Sequence, residues 1–170
     1  MKYFILALSL LFTFLPSAQA RYGESYKECV KRYGAPAAKQ FFKNKPEQVS
    51  AAVFNSTSKE GPILIEINFS GHDKAIMISY RYETVRPLTL DFVERVLKTY
   101  GDYPSEWKEY DWKLESMNEP DQLKKQAMQR KAKVQRNFEH QDNEILAVWF
   151  RDVHMLVLMN RALAQASLDK

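Results

Sequence analysis

The chain is 170 residues long, 45% apolar and 13% aromatic, with 25 Lys+Arg against 21 Asp+Glu and a net charge of +4. That much apolar surface offsets chain entropy and excludes wholesale disorder, and five Gly with seven Pro exclude a collagen-like or low-complexity chain. A single cysteine excludes an internal disulfide framework and a four-cysteine zinc site.

Lys2 is the only charge before Arg21. An apolar stretch from Tyr3 to Leu15 follows it, then Pro16 and Ala18-Gln19-Ala20. A short cationic start, about a dozen apolar residues and an A-x-A end predict a secretory signal peptide over 1–20. The stretch is shorter than the ~20 residues of a bilayer-spanning helix, and no later segment is apolar enough to span. The expected mature chain begins at Arg21, has 150 residues and loses Lys2, which lowers its charge to +3. Its expected location is secreted or periplasmic. The lack of a cysteine at the cleavage point argues against a lipid anchor.

Ser25-Tyr26-Lys27-Glu28 has the spacing of a capping box. Tyr26, Cys29, Val30 and Tyr33 then recur on one helical face, and Gly34 and Pro36 stop the helix. Cys29 is therefore expected in the core. Gln48 to Phe54 reads as a strand. Ile63, Ile65, Ile67 and Phe69 alternate with Leu64, Glu66, Asn68 and Ser70, a period of two. Gly71-His72-Asp73-Lys74 is a turn, and Ile76, Ile78, Tyr80 and Tyr82 alternate in the return strand.

The same design recurs downstream. Val93, Val96, Leu97 and Tyr100 repeat the helical spacing, with Thr89 or Asp91 as cap and Gly101 and Pro104 as stop. Tyr100-Gly101 lies 67 residues after Tyr33-Gly34. Trp107 to Leu114 reads as a strand, and Ile145 to Phe150, Arg151-Asp152 and Val153 to Met159 as a hairpin. These late strands are apolar on both faces, so they are expected to be central or covered. The fold class is α+β: two diverged helix-plus-antiparallel-strand repeats, with helices on one face of the sheet. The expected units are 21–86 and 87–160, with a tail at 161–170 that ends as a short helix or frays.

The run Tyr26 to Pro36 resembles the "helix, then hydrophobic-G-x-P, then antiparallel strands" opening of small bacterial envelope proteins. The outer-membrane small protein A family and the secreted β-lactamase inhibitor proteins share it, and the second group carries the module in tandem. The resemblance implies a role in binding another protein, without catalysis. It carries over no binding residue. The chain lacks the lipobox cysteine of the first family and the disulfides of the second.

The second unit is longer between its proline and its hairpin, 40 residues against 26. The excess coincides with Glu119 to Phe138, a predicted basic helical insertion with Pro120 in its first turn. Leu123, Ala127, Val134 and Phe138 form a narrow stripe expected to dock on the body. Lys124, Lys125, Arg130, Lys131, Lys133 and Arg136 surround it and give the segment a net +4. The readings are a solvated helix, a contact for an acidic protein or anionic envelope component, or a nucleic-acid site. The charges point all around the helix and no aromatic is interleaved, which argues against nucleic acid. The stripe is narrow and lacks Trp, which argues against membrane insertion.

No G-x-S-x-G, H-E-x-x-H, P-loop or G-x-G-x-x-G is present. His72 falls in a turn, and His140 with Asp142 in a polar linker, without metal-ligand spacing. No catalytic residue, metal or cofactor is assigned. The aromatics Trp107, Tyr110 and Trp112, set beside Glu106, Glu109 and Asp111, are candidate exposed anchors for a partner. With Lys124, Lys125, Lys131 and Arg136 they make up the candidate partner-binding set. The expected function is a non-catalytic binding protein for a protein or anionic envelope component. The alternative is a small extracytoplasmic hydrolase using carboxylates on the sheet.

Overall fold

A computed structural model describes residues 21–111, 117–142 and 144–168. The segment 1–20, with its expected signal peptide, lies outside the described residues, as does Trp112. The element order is α1 (Tyr26–Tyr33), β1 (Ala38–Phe42), β2 (Lys45–Ser58), β3 (Gly61–Phe69), β4 (Ala75–Tyr82), α2 (Leu90–Leu97), β5 (Trp107–Tyr110), α3 (Gln122–Val134), β6 (Gln135–His140), β7 (Ile145–Phe150), β8 (Met155–Asn160) and α4 (Arg161–Leu168). The fold is α+β, built on one antiparallel sheet of order β1-β2-β3-β4-β8-β7-β6-β5.

The α1 cap forms as its spacing predicts. The Glu28 amide donates to Ser25 Oγ at 3.3 Å, and the Ser25 amide donates to the Glu28 carboxylate at 2.7 Å. Asp73, in the β3–β4 turn, accepts the Tyr26 amide at 2.9 Å and ties that turn to the same helix end. Cys29 is fully buried. For α2 the cap is Thr89, whose Oγ1 accepts from the Phe92 amide at 3.1 Å.

The hairpin with period-two alternation, β3–β4, forms as expected, and so does the later one, β7–β8. Ile63, Ile65 and Ile67 pair with Tyr82, Tyr80 and Ile78 across β3 and β4. Tyr80 and Ile78 then pair with Leu156 and Leu158 of β8, so the core runs unbroken across the middle of the sheet. Cys29 of α1 and Phe92, Val93, Val96 and Leu97 of α2 join that core with the inward strand residues.

Several boundaries differ from the sequence reading. One strand was expected before the first hairpin; there are two, and β2 is 14 residues long. β1 is an edge strand exposed along most of its length, so no apolar alternation marks it. The second helix ends at Leu97 with Lys98 as its C-cap, ahead of Gly101. β5 covers only Trp107–Tyr110 of the strand expected over Trp107 to Leu114. The insertion helix ends at Val134, and Arg136 and Phe138 belong to β6. The stripe of α3 does not dock: Leu123 is 79% exposed and Val134 37%. The tail forms α4, against β8 and β4. No described helix is long and apolar enough to cross a membrane.

Candidate functional site

α3 begins where Asp121 accepts the amides of Leu123 at 2.8 Å and Lys124 at 3.1 Å. Strong helix formers carry it on, with five basic residues and no acidic one. It ends where Gln135 turns extended and enters β6. Its only half-buried described side chains are Lys125 and Met128, which mark the side facing the body. At 3.6 residues per turn, Leu123, Ala127 and Val134 lie within about 40° of one another on the opposite side. The stripe thus faces solvent. Lys124 and Lys131 flank it on one side, Arg130 and Lys133 on the other. Lys124, Lys125, Arg130 and Lys133 form no ion pair among the described residues.

Arg136 does not belong with these lysines. From β6 it donates to both Glu109 oxygens at 2.5 Å, and its guanidinium lies 5.3 Å from the Phe138 ring and 5.6 Å from the Trp149 ring. Donating these hydrogen bonds to the Glu109 carboxylate raises its pKa above the ordinary arginine value. It is a fixed cation that closes the sheet margin over the core.

The proposed aromatic anchors separate in the same way. Trp107, expected to be exposed, is 7% exposed and packs edge-on to His140 at 5.2 Å between centroids. It is a core residue because its strand position, opposite His140, faces the side that carries Phe138 and the rest of the core. Tyr110 is 39% exposed and faces the other side of the sheet, opposite Asn137.

That other side carries a surface the sequence reading left without named residues. Leu146, Val148 and Phe150 of β7 stand beside Met159, Val157 and Met155 of β8. Met77 and Ser79 of β4 continue the rows. The apolar members are half-buried apart from Met159, which is exposed at 37%. Around them stand Glu66, Arg81 and Lys108, and Glu139 in an ion pair with Arg161 at 2.8 Å. An apolar centre with three methionines and a charged rim has the anatomy of a protein interface.

His140 stands between two carboxylates. Its Nε2 lies 3.5 Å from Glu106 and its Nδ1 3.5 Å from Asp142. The carboxylates therefore sit on opposite edges of the ring and do not converge on one ion. The Nε2 edge is closed: a Cβ on Gly101 would lie 2.3 Å from it, and the nitrogen itself is buried. No substrate atom fits between them, so the arrangement serves packing. No group of three or more His, Cys, Asp or Glu among the described residues is placed to hold a metal.

No family model, curated protein or solved structure matches the chain.

Proposed function

We propose that the chain is a secreted or periplasmic binding protein without chemistry of its own, and that it grips a protein partner with the outer face of β4, β8 and β7. The observation that carries this reading is the apolar, methionine-rich centre formed by Met77, Leu146, Val148, Phe150, Met155, Val157 and Met159. These strands are the middle of the sheet, where a rigid backbone presents a preorganised surface. The signal pattern at 1–20 supports a location outside the cytoplasm. The order of one helix and four strands, followed by a second helix and four more, supports two diverged repeats and agrees with the resemblance to the secreted inhibitor proteins. The partner's matching feature is an apolar loop or edge that fills the rows between β7 and β8.

The test is affinity capture from a secreted or periplasmic fraction with mature 21–170 and with Val148→Lys and Met159→Lys variants. Circular dichroism establishes that each variant is folded. The expected result is a partner that survives high salt with the wild type and is lost with both variants. A partner held equally by the variants, or no partner at all, overturns the reading.

A further inference from the structure

We propose that α3 is a peripheral contact for an anionic lipid surface, on which it lies with its outward stripe against the lipid. The proposal rests on the binding-protein reading only in treating the chain as a binder, and it uses a surface separate from the sheet face. Three observations carry it. The ridge of Leu123, Ala127 and Val134, about 16 Å long at 1.5 Å per residue, points away from the body; Leu123 is 79% exposed and Val134 37%. Met117, five residues ahead of the helix in sequence, is a further exposed large apolar side chain, at 73%. The ridge has basic residues on both flanks, Lys124 and Lys131 against Arg130 and Lys133, with no acidic residue in the helix.

That arrangement selects among anionic partners. A flat anionic surface reaches both flanks at once, while the ridge settles into the boundary between headgroups and acyl chains. The lysine stems extend along the ridge and carry their ammonium groups up to the headgroups. A nucleic-acid strand would press phosphates against Leu123 and Val134, and α3 offers it no aromatic for stacking. The ridge is too short and too lightly apolar to insert across a bilayer, so the contact is peripheral and salt-sensitive.

The experiment is co-sedimentation of mature 21–170 with vesicles of phosphatidylglycerol and phosphatidylcholine, and with vesicles of phosphatidylcholine alone. Binding is expected only to the anionic vesicles. It should disappear near 1 M salt, where the screening length is about 3 Å. Lys124→Glu, Lys131→Glu and Lys133→Glu together should weaken it by at least about fivefold for each charge removed, and the same three positions as Arg should keep it. Leu123→Ser with Val134→Ser should weaken it while leaving the charge unchanged. Val148→Lys should bind vesicles like the wild type, so loss of the sheet-face reading leaves this result standing. Equal binding to both vesicle types overturns the proposal, as does binding untouched by charge reversal. Retention on a sulfated polysaccharide without vesicle binding also overturns it, in favour of an anionic polymer.

Discussion

Gly101 shows how a single residue ties two parts of the chain together. Its φ of +154° is a conformation that side chains disfavour, and its missing Cβ leaves room for His140 Nε2 and Glu106 Oε2. Those groups would stand 2.3 Å and 2.7 Å from an added Cβ. The close approach lets the segment after α2 lie on the imidazole, while the Glu106 carboxylate accepts the Asp102 amide at 2.6 Å. Gly34, its counterpart after α1, also has positive φ, at +82°, but faces open space. At φ +82° and ψ −163°, alanine at Gly34 therefore meets only a backbone cost, about 1–3 kcal/mol. Alanine at Gly101 adds to a backbone cost of that kind a steric clash of about 1–3 kcal/mol. Urea unfolding of the two variants should rank them in that order, and His140→Ala should recover part of the Gly101→Ala loss. Equal losses at the two glycines would refute the packing role.

At the scale of elements, legibility follows whether a face is buried. β3 buries alternate residues in the core and carries Glu66 and Asn68 on its other face, so its period of two is plain in the sequence, whereas β7 and β8 bury alternate residues but are apolar on both faces. β6 hides the same period, because its core-side residues are Arg136, Phe138 and His140. Two of the three are polar, made tolerable there by Glu109 for Arg136 and by Glu106 and Asp142 for His140. A run of Lys, Gln and Arg leading into them has helical propensity, and the helix is then read too far. The stripe of α3 was legible but its direction was not, since periodicity locates a face without saying what lies across it. The residues of the sheet-face cluster were not legible, because hydrophobic residues on both faces of a central strand read as core.

The contrast between helices predicts opposite responses to loss of a cap. α1 feeds Cys29 into the core, so Ser25→Ala should lower global stability by about 1 kcal/mol, with an unchanged urea m-value. α3 feeds no described side chain into that core. Asp121→Ala should reduce the helical circular dichroism signal and leave the urea midpoint where it was. A shifted midpoint for Asp121→Ala would show that α3 is integral to the fold and would weaken its assignment as a free-standing contact.

On the scale of the whole molecule, residues before and after position 86 meet in one interior. The β4–β8 pairing is one junction, and the tyrosines are another. Tyr22 packs on Tyr100 at 5.3 Å between centroids, and the Tyr80 and Tyr100 hydroxyls lie 3.3 Å apart. Burial, the larger cause, pushes the Tyr22, Tyr33 and Tyr100 phenols above the ordinary tyrosine range, and the neighbouring Tyr80 adds to it. The folded state thus holds these protons more tightly than the unfolded chain, whose tyrosines ionise near pH 10. The sign is fixed: the stabilisation is complete below about pH 10 and falls as pH rises above it. Because the phenols bridge both parts of the chain, their ionisation should open both together. All three tryptophans, Trp107, Trp112 and Trp149, lie after position 86, whereas Tyr22, Tyr33 and Tyr80 lie before it. An alkaline titration should therefore show the phenolate absorbance step of the buried tyrosines coinciding with the change in tryptophan fluorescence, well above pH 10. Buried tyrosines that ionise in the ordinary range with fluorescence unchanged would mean that the interior is not shared, and that the two parts unfold as separate bodies.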